Sequence, residues 1–326
     1  RDGAPQWAGV PAHLRAPVEM EEIGTMATAT NRGKQLAIAI PVALVVLVVV
    51  VLAARWLRGM DPVADFIGTY PGTNPQPEAA PERIAGWVNW AHFLNMFLMV
   101  LIIKTGWQIR TTTRPPAHWQ AKKPGLLAGP RPQRISIHIW THLALDALWV
   151  VNGLVFAVLI FATGHWMRIV PTSLDIFPNA LSAGLQYLSL DFPTTSGWAS
   201  YNALQVLAYF ITVFIAAPLA AISGLRLSPA WRPTWAVSRI FPIEAARKIH
   251  FPIMVYFVGF ILVHITLVFT TGALRNLNIM YAARDEVSWV GLGIFAASLV
   301  ITIVAWVLLR PAFLAPVASA TGKVTR

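Results

Sequence analysis

Six stretches of about 20 apolar residues divide the chain, and segments rich in proline, glycine and charge separate them. They lie near residues 36–57, 86–108, 140–163, 203–223, 250–271 and 288–309. A helix of about 20 residues spans the hydrocarbon core of a bilayer, roughly 30 Å thick. The apolar core of a signal peptide is only roughly 7–15 residues long, so the first stretch is expected to be an uncleaved span. The pattern predicts an all-α fold, a polytopic membrane bundle of six transmembrane helices.

Composition supports a membrane location and limits which residues could bind a metal. Of the 326 residues, 56% are hydrophobic and only 12% are charged, about half the charge of an ordinary soluble domain. The chain has no cysteine, which excludes disulfides, thiolate-bound iron–sulfur clusters, covalently attached haem and cysteine zinc sites. A metal must therefore be held by histidine, carboxylate or a bound cofactor. The net charge of +11 does not indicate a nucleic-acid partner, because the basic residues lie in short loops beside apolar runs that face lipid.

The distribution of basic residues predicts the orientation. Six lysines and arginines lie in the loop 109–139 and five in the loop 224–249, whereas the loop 58–85 carries two basic and four acidic residues. Loops rich in lysine and arginine stay in the cytoplasm. We therefore expect a multi-pass protein of the bacterial inner membrane with both termini in the cytoplasm.

Four histidines fall at two depths of this predicted bundle. His250 and His264 bracket the fifth span and are fourteen residues apart, which is about 21 Å along a helix and within roughly 40° of the same face. His92 comes early in the second span, which begins outside, and His142 comes early in the third, which begins inside. The orientation thus pairs His92 with His264 near the outer side and His142 with His250 near the inner side.

Two pairs of imidazoles at two depths suit two b-type haems. Haem iron accepts an axial nitrogen on each face, and double ligation suits electron transfer. A zinc site made of histidines needs three or four ligands at one depth. One histidine in a span is equally well explained as a satisfied polar residue or part of a proton path, but four at matched depths favour non-covalent haem. The predicted metal ligands are His92, His264, His142 and His250.

Neighbouring residues fit this prediction, though each has a second explanation. Gly106 follows His92 by fourteen residues and Gly153 follows His142 by eleven, so bare backbone would face a haem there; helix packing would also favour glycine. Arg247 is a candidate partner for haem propionates, or it is a basic loop residue that fixes the orientation of the chain in the membrane. Asp146 is a candidate partner for the second ring nitrogen of His142, or it faces a proton-accessible cavity.

The remaining four histidines are expected at the surface. His138, one turn before His142, is the competing ligand, and we expect it near the headgroups. His165 lies just past the outer end of its span and is also a candidate quinone-site residue. His118 lies in a cytoplasmic loop and His13 in the N-terminal tail.

Four stretches occur in an order that resembles a known family: HFLNMFLMVLIIKTGWQIR, HLALDALWVVNGLVFAVLIFATGHWMRIVPT, YNALQVLAYFITVFIAAPLAAISGLRLSPAW and ARKIHFPIMVYFVGFILVHITLVFTTGALRN. They resemble the bacterial membrane cytochrome b subunits of nickel–iron hydrogenase, formate dehydrogenase and thiosulfate reductase, and are closest to the thiosulfate reductase-like subgroup. The resemblance covers roughly residues 86–280. It implies four helices holding two b haems through His92, His142, His250 and His264, and electron passage between the quinone pool and an extracytoplasmic or membrane-associated oxidoreductase subunit. The spans near 36–57 and 288–309 are additions to the minimal pattern of this family.

These observations predict the following organisation: 1–35, a polar and partly disordered tail; 36–57, an additional transmembrane helix; 86–271, a four-helix diheme core; 288–309, a C-terminal transmembrane helix; 310–326, a cytoplasmic tail. The expected function is that of an integral membrane diheme cytochrome b subunit of an oxidoreductase complex, with quinone oxidation or reduction as its own chemistry. The alternatives are a stand-alone transmembrane cytochrome b reductase that uses soluble small molecules, and a colourless proton-coupled transporter that uses the histidines as relays. The stretch FPNALSAGLQYLSL is a candidate docking surface for the partner subunit or a helix that rests on the bilayer.

Overall fold

The computed structural model describes residues 35, 37–73, 76–125, 132–192, 198 and 200–325. The helices are α1 (Ala37–Arg58), α2 (Asp61–Thr69), α3 (Gly86–Thr111), α4 (Ile137–Ala162), α5 (Ile176–Leu188), α6 (Ala203–Phe210), α7 (Ala217–Leu227), α8 (Val237–Ile240), α9 (Ile243–Thr270), α10 (Ala273–Leu277), α11 (Val290–Leu308) and α12 (Pro311–Thr321). A 3₁₀ turn covers His165–Arg168, and π-helical stretches cover Ile211–Ala216 and Asn278–Ala282. The strands are β1 (His118–Ala121), β2 (Ile135–Ser136) and β3 (Gly322–Thr325).

Six helical segments of the described residues are long and apolar enough to cross a membrane, which confirms the predicted fold class. They are α1, α3, α4, the continuous run Ala203–Leu227, α9 and α11. Their ends lie within a few residues of the predicted ones except at the start of α9, which begins at Ile243 rather than near 250. These additional residues, about two turns, carry Glu244, Arg247 and Lys248, so the helix extends past its apolar part into a charged segment. The chain is thus a multi-pass membrane protein.

The described residues form two compact units. The first comprises the residues up to Phe66 together with Leu185–Asp191. Within it, Arg55 Nε donates to the carbonyl of Ser189 at 3.0 Å, and Arg58 contacts Ser189 Oγ at 2.6 Å and Asp191 Oδ2 at 2.5 Å. The second unit comprises Ile67–Gly184 and Phe192–Arg326, and it contains all four predicted ligands.

Four spans of the second unit pack around a buried apolar core. Leu98 and Leu101 of α3 pack with Leu145 of α4, while Met99 of α3 packs with Ala216 and with Phe257 of α9. Burial of such side chains contributes about 1.5–3 kcal/mol each for transfer from water, but in lipid close packing and interhelical hydrogen bonds replace that driving force.

The fourth span is interrupted by the π-helical stretch between α6 and α7. There the backbone N–H of Ala217 bonds to the carbonyl of Thr212, one residue further back than in an α-helix. Pro218 follows directly and has no N–H to donate, so the ladder of hydrogen bonds is already broken at this level. Thr212 Oγ1 lies 2.7 Å from the hydroxyl of Tyr256, which ties the widened turn to α9.

The C-terminal segment is folded rather than being a simple tail. After α11 the chain forms α12, and then β3 joins an antiparallel sheet of order β2-β1-β3. Trp119 of β1 donates from Nε1 to the carbonyl of Ala318 at 3.1 Å, and Ile137 and Leu314 complete a small core. The loop between α3 and α4 therefore lies on the same side as the C-terminus, as the charge pattern predicts.

Residues 273–291, which we call the outer cap, are held together by hydrogen bonds to the side chain of Asn278. This buried amide donates to the carbonyls of Glu286 and Ser288 at 3.0 and 2.8 Å and accepts from the backbone N–H of Gly291 at 2.6 Å. A Cβ at Gly291 would collide with the backbone of Asn278. From α3, Asn89 donates to two carbonyls of the cap at 2.9 and 2.7 Å. The cap is therefore fixed to α3 and α11.

Candidate haem sites

The outer pair consists of His92 on α3 and His264 on α9. Their ring centres are 6.2 Å apart, with an angle of 56° between the ring planes. Aromatic rings surround the pair: Tyr281 of the outer cap lies edge-on to His92 at 6.0 Å, and Phe260 stacks on His264 at 5.7 Å. The Nδ1 atom of His92 is buried and has no hydrogen-bond partner among the described residues.

The inner pair consists of His142 on α4 and His250 on α9. Their ring centres are 6.3 Å apart and their planes are nearly perpendicular at 86°. Because α9 is one helix from Ile243 to Thr270, His250 and His264 lie about 21 Å apart along it. The structure thus brings together both pairs that the sequence predicts, at two levels of the bundle.

The spacing within each pair fits a single metal ion between the rings. Two bonds of about 2 Å from a metal to imidazole nitrogens, with about 1.1 Å from each nitrogen to its ring centre, separate two ring centres by about 6.2 Å when the rings lie on opposite sides of the metal. The observed 6.2 and 6.3 Å match this value. No cluster of three or more histidines, aspartates or glutamates that could hold a metal occurs in the part of the chain that the structure describes.

A hydroxyl group lies within hydrogen-bond distance of Nδ1 on each inner histidine. Thr105 Oγ1 lies 2.9 Å from His142 Nδ1 and 3.0 Å from the carbonyls of Leu101 and Ile102. The hydroxyl has one proton, which goes to a carbonyl of its own helix, so its oxygen accepts the proton of Nδ1–H. The Nε2 atom of His142 is then the unprotonated nitrogen, the form that binds a metal.

The same arrangement recurs on the other side of the inner pair. Ser223 Oγ of α7 lies 3.0 Å from His250 Nδ1 and 2.6 Å from the carbonyl of Leu219. Each hydroxyl residue is followed by a glycine. A Cβ on Gly106 would lie 3.3 Å from Cε1 of His142, and one on Gly224 would lie 3.2 Å from Cε1 of His250. A hydroxyl–glycine pair on a neighbouring helix therefore orients each inner ring and makes room for it.

Sequence reasoning missed Thr105, Ser223 and Gly224. The signal was present as the dipeptides Thr-Gly in KTGW and Ser-Gly in ISGL. Thr105 also corrects one interpretation: it holds Nδ1 of His142, whereas Asp146 Oδ2 lies 3.6 Å from Nε2, too long for a hydrogen bond. Asp146 is therefore not the partner that orients His142.

The other predicted site residues are less constrained. Gly106 contacts His142, as described. Gly153 has open space where its Cβ would be, and Arg247 is exposed at the start of α9. Their roles beside haem or its propionates stay predictions.

The surface assignment of His138 is wrong. The residue is only 7% exposed and lies in the first turn of α4, which begins at Ile137. His165 lies in a shallow surface depression with Pro81, Glu82 and Arg83, and its place in a quinone site stays a prediction. His118 lies on β1, 3.4 Å from Arg134, and His13 lies outside the described residues.

An apolar layer separates the two pairs at mid-depth. Met99 follows His92 by seven residues, Trp149 follows His142 by seven, and Phe257 lies midway between His250 and His264. Phe257 is buried and meets Trp149 edge-on at 6.4 Å. These side chains lie at the level between the two pairs, and Trp149 also donates from Nε1 to Asn95 Oδ1 at 2.7 Å.

A helical membrane bundle with two facing histidine pairs defines the class of membrane cytochromes b. Comparison with known proteins specifies the family: the model of prokaryotic cytochrome b561 matches residues 83–282, a range that contains all four histidines. The chain belongs to this family, which implies haem b and electron transfer in the membrane. The match confirms the predicted relationship; the thiosulfate reductase-like subgroup stays a prediction.

A curated relative agrees with this membership. The putative protein-methionine-sulfoxide reductase subunit YedZ1 of Azospira oryzae is 30% identical over 202 residues, which cover 56% of this chain and 87% of the relative. No solved structure matches the chain.

Proposed function

We propose that the chain is a diheme cytochrome b subunit that carries electrons across the bacterial inner membrane. One haem b would be held by the outer pair, His92 and His264, and the other by the inner pair, His142 and His250. The observation that carries this proposal is the ring-centre spacing of 6.2 and 6.3 Å at two levels of the bundle. Haem supplies one-electron chemistry through the oxidation and reduction of its iron.

The residues of the chain would position and insulate these groups. Thr105 and Ser223 hold the Nδ1 protons of the inner histidines, which leaves each Nε2 free to bind iron and makes the imidazoles more basic. Met99, Trp149 and Phe257 exclude water between the two levels. The outer cap places Tyr281 against His92 and limits access of water from the outer side.

Two observations bear on the partner and on the orientation of the chain. The YedZ1 relative is described as a subunit of a putative reductase, which favours a membrane-associated oxidoreductase as partner here. The basic loops and the folded C-terminus on one side favour cytoplasmic termini.

Movement of one charge across the membrane changes its energy by about 2.3 kcal/mol per 100 mV, so the direction of electron flow would be linked to the membrane potential.

Haem counting tests the two-site proposal. Purified protein is expected to contain two b haems per chain by pyridine haemochrome assay and by reduced-minus-oxidised spectra. His92→Ala and His142→Ala should each reduce the content to about one haem, while His118→Ala, a histidine on the β1 strand, should keep both. A colourless wild-type preparation from haem-replete cells, or one haem lost in H118A and none in H92A, would overturn the assignment.

Reduction by different donors tests the quinone pathway. A water-insoluble quinol added to the protein in lipid vesicles should reduce the haem rapidly, as followed by the absorbance change after mixing. Ascorbate alone should reduce the haem far more slowly. Rapid reduction by ascorbate with no response to quinol would favour the stand-alone cytochrome b reductase instead.

A further inference from the structure

Helix α5 and the turn before it expose large apolar side chains on one side. Leu174, Phe177, Leu181 and Leu188 are 82%, 60%, 69% and 52% exposed. Spacings of three, four and seven residues place these side chains on the same side of a helix. We call these four residues the outward face of α5.

The opposite side of α5 is polar and buried. Asn179, Ser182 and Gln186 are all buried, and so is Ser189 just after the helix. Asn179 Oδ1 accepts from the backbone N–H of Gly72 at 3.0 Å, so this side is bonded to protein. A helix that faces water has the reverse arrangement, with polar residues outward, and α5 has no charged residue from Ile176 to Leu188.

The C-terminal end of α5 lies at the level where a spanning helix ends. Within the first unit, Arg55 and Arg58 at the end of α1 hold Ser189 and Asp191. The 22 residues of α1 rise about 33 Å, close to the thickness of the hydrocarbon core. The contact therefore lies at the boundary between the hydrocarbon core and the headgroups.

The N-terminal half of α5 lies at a similar boundary within the second unit. Ile176 and Ala180 are buried against Ala203 and Val206, which belong to the first turns of the span Ala203–Leu227. Each half is thus held beside the end of a spanning helix, where the surroundings of an exposed side chain change from acyl chain to headgroup.

We propose that α5 is an interfacial helix whose outward face lies in the acyl chains of the outer leaflet. Its lack of charge and its inward polar side fit a lipid surface, since a face for a soluble partner would be open to water before the partner binds, and large apolar patches are rare there. The ligand of this surface is therefore lipid rather than an extracytoplasmic subunit or a second copy of the chain.

Thiol accessibility tests the proposal cleanly because the chain has no cysteine. Single variants Leu181→Cys and Phe177→Cys are compared with Leu154→Cys, an exposed position within the span α4, and with Glu78→Cys, an exposed loop position. The haem-loaded protein is placed in vesicles of phosphatidylethanolamine and phosphatidylglycerol and treated with a charged maleimide. L181C and F177C should react at least about tenfold more slowly than E78C and similarly to L154C, because thiolate formation is disfavoured away from water. Complete labelling after denaturation in sodium dodecyl sulfate shows that every thiol is intact.

Photolabelling identifies what covers the face. Vesicles that also contain a phosphatidylcholine with a diazirine on its acyl chain are irradiated, and peptides of the unsubstituted protein are analysed by mass spectrometry. Lipid adducts on the peptide that contains Phe177 and Leu181 are expected. Labelling of L181C as fast as E78C would overturn the proposal in favour of a water-exposed docking surface. Absence of lipid adducts on this peptide while L181C still reacts slowly would overturn it in favour of a second copy of the chain covering the face.

Discussion

Replacement of Thr105 by valine tests how the chain orients an inner histidine. Valine keeps the shape of the side chain but removes the oxygen that accepts from His142 Nδ1 at 2.9 Å. Thr105 is buried, so the Nδ1–H group would lose its partner where water cannot replace it, at a cost of about 1–3 kcal/mol. Loss of such a partner typically weakens metal binding about 10–100-fold.

The same change should alter the reduction potential. A less basic His142 stabilises oxidised iron less, so the potential of the inner haem should rise. A difference of about 1 kcal/mol corresponds to roughly 40 mV for one electron, since about 59 mV equals a tenfold change in the equilibrium constant. The assays are a potentiometric titration of the purified protein and the rate of haem transfer to an excess of apomyoglobin.

Thr302→Val is the matched control for this experiment. Thr302 is also buried in a spanning helix and donates to a carbonyl of its own helix at 2.8 Å, and no histidine contact is described for it. T302V should leave both potentials and haem retention unchanged. If T105V behaves like T302V, the hydroxyl does not orient His142 and our account of the inner site is wrong.

Three further changes test other parts of the structure. Gly224→Val should cause selective loss of the inner haem, because a Cβ at this position already lies 3.2 Å from the ring of His250. The control Gly259→Val, with open space around its Cβ, should retain both haems. Equal haem spectra for the two variants would contradict a close contact between residue 224 and His250. Asn278→Ala should destabilise the outer cap by about 2–4 kcal/mol, because several buried hydrogen bonds are lost. The midpoint of thermal unfolding should be lower than in Asn276→Ala, whose side chain is more exposed. Equal midpoints would show that the hydrogen bonds of Asn278 do not stabilise the cap. A C-terminal green fluorescent protein fusion should fluoresce and a C-terminal alkaline phosphatase fusion should be inactive if the C-terminus is cytoplasmic; the opposite result would invert the orientation and exchange the inner and outer sites.

The spans and the facing histidine pairs could be predicted because their signals are local. An apolar run of about 20 residues has few alternatives to a spanning helix, and helical periodicity places His250 and His264 on one side without any knowledge of neighbours. Orientation from charge then gave the pairing of His92 with His264. The helix ends were less certain where charge follows the apolar run, as at the start of α9.

The features that sequence reasoning missed depend on contacts between distant segments. β1 and β3 pair across about 200 residues, and neither strand is long enough to produce a periodic pattern. His138 is buried in the first turn of α4, which its position near a basic loop did not indicate. Thr105 and Ser223 looked ordinary, since a hydroxyl in a membrane helix usually bonds to its own backbone; only the arrangement of neighbouring helices gives each a second partner.

The single helix α9 carries one predicted ligand of each pair, so in the proposed diheme arrangement it would link the two sites mechanically. The part of α9 from His250 to His264, which contains Pro252, would then set the distance over which an electron tunnels by the rise of a helix rather than by loops. A partner that binds at either surface can tilt this helix, but it cannot bring the two ends closer together. In that proposed arrangement, regulation of the transfer rate would act on driving force and access, with the distance between the two sites held constant.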